Sequence, residues 1–493
     1  MAQQHGPSNF DPFRCGCCGS LDRREFFASV GLSALAAGAA SSEVATAAPE
    51  EKAPRRAKPL VRAVFVRPDL EQYWMGWPGA SYDIKGHQAD YSRIMADAAK
   101  KFGVDLQITQ QPISDSTRLN RFLEECANST PDGAIVVSMS LNPINGSGSW
   151  GDINQFVDKR PASLPVIVFS PMGTSFTGHL QATRNKPKTL VAATQDLSWL
   201  AEAVRMFRVM WDMKNTRICI VNGNKTEDKP LATIGTTLHY IPLERWVQEY
   251  NNCPETQEVK ALAREWSETA KKIVEPKPQD VINAAKCYVV AKKIMEDEKC
   301  DGISLNCLGL IGARRIPCPP CMAWMKLNDE KSIGCCECAW TSAISIRLCA
   351  LLAGRPGFMQ DPCPNTVAGT LMGAHCSSPT RLRGFDSNPE PVILRNHSES
   401  TLGVSPQVIW PIGESVTVMQ FTAPDKMIVG TGHMVANIDT PPAGGCRTSV
   451  ELAMDNVADP RDCKGFHQLF IVGKLDRMFR QYCQLAGIHV DPV

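Results

Sequence analysis

Four residues in the second half of the chain have the types that a hard divalent cation selects: Glu337, Asp361, His375 and His467. Carboxylate oxygen and imidazole nitrogen, with no thiolate required, suit manganese, magnesium or zinc better than copper. The same carboxylates and imidazoles bring acid/base capacity. Any one of them alone reads as an ion-paired or capping carboxylate, or as a hydrogen-bonded histidine. Their positions at the ends of elements argue for more. Glu337 heads an apolar run in which Trp340, Ile344, Leu348 and Leu351 share one helical face, and Gly354 and Pro356 close it. Short apolar pieces at 358–360 and 370–372 deliver Asp361 and His375. A helix leading away from Glu337 and a strand returning place both carboxylates at one sheet edge. In open α/β sheets that edge, where strands end and helices begin, is where ligands bind.

A second candidate is made of sulfur. Cys318 and Cys321 flank two prolines, and Cys335, Cys336 and Cys338 follow. Two close pairs, Cys318/Cys321 and Cys335/Cys338, resemble a ribbon-type zinc or iron–sulfur ligand set, with a disulfide or unligated thiols as the alternatives. The chain has 20 cysteines. Cys15, Cys17 and Cys18 fall in the leader described below, and the odd number left cannot all pair internally. Cys219, Cys307 and Cys349 sit inside apolar runs, where a buried free thiol is the simple reading.

The elements that must position these residues alternate. Strand patterns at 60–66, 104–108, 133–138 and 165–170 are separated by helical ones at 89–102 and 118–127. A second series has strands at 190–194, 217–221 and 301–306, with helices at 197–211, 258–273 and 278–298. Such alternation predicts parallel sheets covered on both faces. After about residue 369 the texture changes to short strands at 391–394, 408–412, 415–421 and 427–430 between Gly-, Pro- and Asn-rich turns, with one helix at 475–486 closing the chain. The expected fold is α/β: two Rossmann-like αβα domains, 59–180 and 181–365, followed by a β-rich, barrel-like domain at 366–493. No GxGxxG or Walker loop is present, so nothing suggests a nucleotide.

At 493 residues several domains are expected, and a formal charge of +1 gives no reason to expect nucleic acid as a partner. No apolar run beyond the N-terminus is long enough to span a membrane. Residues 1–58 read as export signal and linker. Arg23-Arg24 precedes Phe26-Phe27 and a small-residue apolar run, and Ala45-Thr46-Ala47 offers a cleavage site. This resembles a twin-arginine signal, which implies an extracytoplasmic location.

The order of the motifs resembles the L-fucose isomerase/L-arabinose isomerase superfamily. Glu337-Cys338-Ala339-Trp340 is similar to that family's helix-leading Glu, and Asp361 to its strand-ending acid. Gly373-Ala374-His375-Cys376 is similar to its Gly-x-His, and Gly465-Phe466-His467-Gln468 to its C-terminal histidine segment. The resemblance spans about 60–493, with the N-terminal third matching in texture only. It implies a manganese-dependent aldose–ketose isomerase acting on a small neutral sugar through a cis-enediol, in a homo-oligomer. Glu337 and Asp361 would be the acid/base pair, and Glu337, Asp361, His375 and His467 the metal ligands. Trp74, Trp77, His87, His397, His433 and Arg447 are weaker candidates for lining a sugar pocket. Two features depart from the family: the cysteines around Glu337 and the export leader. They leave two other readings, a non-catalytic sugar- or metal-binding relative and a Cys-ligated zinc or Fe–S protein.

Overall fold

The computed structural model describes residues 56–77, 83–141, 148–439 and 446–493. The twin-arginine segment lies outside the described residues. The first sheet holds β1 (Leu60–Val66), β2 (Asp105–Ile113), β3 (Gly133–Ser138), β4 (Val166–Pro171) and β5 (Thr189–Thr194). Its order is β2-β1-β3-β4-β5, and every pairing is parallel. Alternate side chains of β1 serve opposite faces, as the two-residue strand period requires. Val61, Ala63 and Phe65 pack with helices Ile84–Phe102 and Ser198–Asn215. Val64 and Val66 pack with Ser116–Ser129 and Trp150–Lys159. A sheet buried on both faces accounts for the unbroken apolar runs in the sequence.

The second sheet holds β6 (Arg217–Val221), β7 (Glu227–Pro230) and β8 (Thr237–Ile241), and, after a two-residue strand β9 (Lys272–Ile273), β10 (Gly302–Leu305) and β11 (Ile333–Cys336). The order is β11-β10-β6-β8-β7, parallel except for the edge strand β7. β9 leaves this layer to pair with β14 (Val392–Arg395), which also pairs with β15 (Ser405–Val408). The helix expected at 258–273 therefore stops at Thr269, because Lys271 donates its backbone N–H to Val392 instead.

The C-terminal region is a closed six-stranded antiparallel barrel. Its strands are β12 (Phe358–Asn365), β13 (Thr370–His375), β16 (Ser415–Ala423), β17 (Lys426–Asn437), β18 (Thr448–Met454) and β19 (Gln468–Val472). They run β16-β19-β12-β13-β18-β17, and β17 pairs back to β16. A short β20 (His489–Asp491) adds to β17. Phe358, Leu371, Val418, Leu452 and Phe470 fill the barrel. The alternate residues Met359, Met419, Phe421, Leu469 and Ile471 face outward into the core of the second sheet. Helix Trp340–Leu348 lies between the two. It continues as a π-helical turn, Cys349–Ala353, and ends at Gly354 in the left-handed region (φ 65°), the stop expected from the sequence. Among the described residues no helix is long and apolar enough to cross a membrane.

One expectation is corrected by this topology. Asp361 does not end a parallel strand of the second sheet. It lies inside barrel strand β12, opposite Ala374 of β13, and that strand runs on through Pro362 and Pro364 to Asn365.

Candidate metal centre

The centre sits where the second sheet meets the barrel. β11 ends at Cys336, and the chain turns through Glu337 and Cys338 before the helix that begins at Trp340. Both turn residues are left-handed, with φ of 60° and 55°. His467, just before β19, is also left-handed, with φ of 61°. For residues with a Cβ this conformation costs about 1–2 kcal/mol each. Such strain persists where surrounding contacts enforce it, and it gathers at functional sites. Here it aims the Glu337 and His467 side chains at one point. Asp361 has the outward parity of Met359 and so faces Glu337. His375 is the last residue of β13.

Four side chains meet. His467 Nε2 lies 3.0 Å from Asp361 Oδ1 and 3.3 Å from Glu337 Oε2, and His375 Nε2 lies 3.8 Å from Glu337 Oε1. The two imidazoles are edge to face, with centroids 5.8 Å apart. Asp361 Oδ1, His375 Nε2 and His467 Nε2 are buried, and none has a partner aligned for hydrogen bonding. His467 and Asp361 still face each other as an ion pair, so the atom left without a close partner is His375 Nε2, a state that costs about 1–3 kcal/mol for a buried polar atom. Ligand atoms of Glu337, His375 and His467 all lie within 4.8 Å of one another. One cation with bonds of about 2.1 Å spans that spacing after a slight contraction. Glu337, His375 and His467 therefore fit a divalent ion, whereas Asp361 falls outside that group and meets it through His467 at 3.0 Å.

Electrostatics agree with the geometry. Burial alone would raise the Glu337 carboxyl. The His467 contact and the charges of His375 and His467 outweigh burial and hold the carboxyl below its usual value. Burial would likewise depress His467, but the Asp361 and Glu337 carboxylates raise it to about 9. Two carboxylates that draw a proton onto a buried imidazole in this way would also draw a cation to its lone pair.

The supports are local. Cys376 donates its backbone N–H to His375 Nδ1 at 2.9 Å, which puts the ring proton of the neutral imidazole on Nε2 facing Glu337, so an ion bound at Nε2 would have to displace it; the Ser377 hydroxyl is 3.4 Å from Nδ1. Ser342, in the helix after Glu337, donates to the His467 carbonyl at 2.8 Å. The next stretch of chain is pinned by Asp329, whose carboxylate accepts from the Thr380 N–H and hydroxyl and from the Arg381 N–H.

The other candidates lie elsewhere. Cys318, Cys321, Cys335 and Cys338 are not gathered into a ligand set, and among the described residues the convergent group is Glu337, His375 and His467. The thiols of Cys335 and Cys338 face the Ala339 and Val221 carbonyls, and that of Cys318 the Pro319 carbonyl. Their order along the chain imitates a zinc ribbon, but Cys335 lies inside strand β11 and Cys338 past its end in the left-handed turn. His433 is exposed on the outside of the barrel, in β17 opposite Ser415. Arg447 is fully buried and donates to the Asn396 carbonyl, which makes it an anchor of that loop. His397 is buried, with Nδ1 3.0 Å from the Ser400 hydroxyl. Trp74 and Trp77 are exposed in the segment after β1, and His87 packs on Tyr91 in helix Ile84–Phe102.

Two participants carried no signal in the sequence beyond their neighbours. Glu399, two residues after His397, is exposed at the surface, and partial desolvation raises its carboxyl, with His397 opposing and the charges of Cys376, Glu337 and Asp361 adding to the rise. That makes it a further carboxyl within the field of the centre. Phe466 lies against His467, with ring centroids 4.3 Å apart and the planes tilted by 35°, and is 62% exposed, an aromatic surface beside the site.

No protein-family model matches this chain, and no curated protein matches it.

Proposed function

We propose that the chain is a metal-dependent aldose–ketose isomerase of the L-fucose/L-arabinose isomerase type, acting on a small neutral sugar. Manganese is the preferred ion, with magnesium or zinc as alternatives. The observation that carries this reading is the convergence of Glu337, His375 and His467, with Asp361 3.0 Å from His467 beside them. In the same reading the two parallel-sheet units are Rossmann-like αβα domains ahead of the barrel. The protein is a homo-oligomer, and the leader at Arg23-Arg24 exports it by the twin-arginine route.

When bound, the ion would polarise the carbonyl and adjacent hydroxyl of an open-chain sugar. The rest belongs to the chain. Glu337 and Asp361 flank the ligand atoms, and Glu337 is held ionised. One carboxylate removes the proton from C2 of the aldose, and the electron pair moves to form a cis-enediol. The other carries a proton between the two oxygens, and the first, its proton exchanging with solvent, delivers a proton to C1. His375 and His467 orient Glu337, and Phe466 offers an apolar face for the sugar.

The test is an aldose panel with added Mn2+ in deuterated water. Ketose carrying solvent deuterium at C1 is expected, and Glu337→Gln and Asp361→Asn should each abolish it with the circular dichroism spectrum unchanged. Wild-type turnover in both variants would sink the assignment. Tight Mn2+ uptake with neither ketose nor exchange would instead favour a binding relative on the same four residues.

A further inference from the structure

Each of the two parallel sheets ends in two edge strands, and β2 differs from the other three. On β5 the Gln484 side chain donates to the Thr189 carbonyl at 2.8 Å. On β11 Asn328 takes both backbone groups of Gly334, donating to the carbonyl at 2.9 Å and accepting from the N–H at 3.0 Å. β7 reads Glu-Asp-Lys-Pro, and charge with proline is the common guard against strand addition. β2 carries no such guard between Asp105 and Pro112, where the chain reads Leu-Gln-Ile-Thr-Gln-Gln. Asp105 donates its N–H to the Pro59 carbonyl at 2.9 Å, so by alternation Gln107 and Thr109 also turn their backbone groups to β1. Those of Leu106 and Ile108 point away from the sheet, and among the described residues nothing bonds them. Gln88 reaches this edge only farther on, at the Gln110 carbonyl.

We propose that β2 pairs with β2 of a second copy of the chain, antiparallel about a two-fold axis at Gln107, so that two five-stranded sheets become one continuous sheet. The segment's own symmetry selects a second copy as the occupant. The regular register with β1 covers Asp105–Thr109 and breaks beyond it. Turned onto itself about Gln107, that segment sets the half-buried Leu106 against the partner's half-buried Ile108. Asp105 meets the partner's Thr109, whose hydroxyl can donate to its carboxylate, and Gln107 meets the partner's Gln107, amide to amide. No like charges face each other, and such cross-strand pairs stabilise an antiparallel ladder. Leu106 and Ile108, whose free groups face outward, fall at rungs that exchange both N–H···O bonds. Gln107 falls at a rung without them, where Cα atoms lie about 4.5 Å apart. An axis at Ile108 would instead carry the ladder into the irregular stretch after Thr109. A two-fold pairing also closes the edge on both copies at once. It gives the oligomer of the isomerase reading an interface, and neither metal nor sugar enters it.

Light scattering on the full chain reads its mass with neither metal nor sugar present, and an assembly with an even number of chains is expected. Gln107 is exposed, and Gln107→Cys should give a covalent dimer under mild oxidation, because two cysteines at that rung are within disulfide reach. Thr109→Cys, opposite the partner's Asp105, should cross-link no more than wild type, whose own cysteines set the background. Gln107→Lys puts two ammonium groups opposite each other, beside Arg62, which lies 3.4 Å from the Gln107 amide oxygen. It should halve the mass with the circular dichroism spectrum unchanged. The pairing is overturned if wild type is monomeric, if Gln107→Cys cross-links no better than Thr109→Cys, or if Gln107→Lys folds and keeps the wild-type mass. Should Gln107→Lys fail to fold, the two cysteine variants decide. A pairing that holds while the aldose panel yields no ketose leaves the interface standing and removes the isomerase reading alone.

Discussion

At the scale of single residues, His467 carries the most readable consequence. Its imidazole is raised to about 9 from an ordinary 6.5 by the Asp361 and Glu337 carboxylates. A folded value above the unfolded one means the contact stabilises the metal-free protein fully below about 6.5. That contribution is lost as pH rises through about 9. A cation and a proton compete for the same lone pair, so binding the ion must expel the proton. Apparent Mn2+ affinity should therefore climb with pH between about 6.5 and 9 and level off above. Near neutrality about one proton should be released per ion bound. Calorimetry in two buffers of different ionisation enthalpy reads that number directly. A pH-independent affinity across this range would mean that His467 does not give its lone pair to the metal.

At the scale of elements, the precision of the site depends on how closely the barrel strands approach. Gly373 lies two residues before His375, opposite Pro362 on β12 and Val450 on β18. A Cβ there would stand 2.3 Å from Phe470 Cε2 and 2.6 Å from Gln360 Oε1. Gly373→Ala should cost about 1–3 kcal/mol of stability through overpacking. Because the displaced strand carries His375, the variant should also bind Mn2+ more weakly, and thermal melts with and without the ion separate the two effects. An unchanged melting temperature would show that β13 yields freely at this point. The strand and helix periods were legible from the sequence alone: 60–66, 133–138 and 217–221 were read with the boundaries the structure has, as was the stop at Gly354. Three features were not. β11 has four residues, and its Gly-Cys-Cys looks like a ligand cluster before it looks like a strand. Helix Trp150–Lys159 was not read, since its buried Trp150, Ile153, Phe156 and Val157 are spread among polar residues. The short apolar piece 358–360 reads as a strand that ends in delivering Asp361, yet β12 keeps its pairing on through Pro362 and Pro364. Antiparallel closure of a barrel is a long-range outcome that a local pattern does not carry.

At the scale of the whole molecule, the centre draws on two layers, with Glu337 from the edge of the second sheet and Asp361, His375 and His467 from the barrel. The layers share one apolar core. Ile303, Ile333 and Trp324 on one side join Met419, Phe421 and Leu469 on the other through Ala343, Ile344 and Ile346. Polar contacts cross the same seam: Phe421 donates its N–H to Ser345 Oγ at 2.9 Å, and Ser342 donates to the His467 carbonyl. Exposing either layer alone would uncover that core, so the second sheet and the barrel should unfold together. Trp246 and Trp324 report on the sheet side and Trp410, packed on Phe358, on the barrel interior. Fluorescence melts of wild type and Trp410→Phe should each coincide with that protein's own far-UV dichroism melt, as one cooperative transition requires. Mn2+ at about a hundred times its Kd should move the whole transition, by about 2.7 kcal/mol for a ligand bound to the folded state alone. If the ion shifts the barrel signal and leaves the sheet signal where it was, Glu337 is not bound to the ion that the barrel histidines hold.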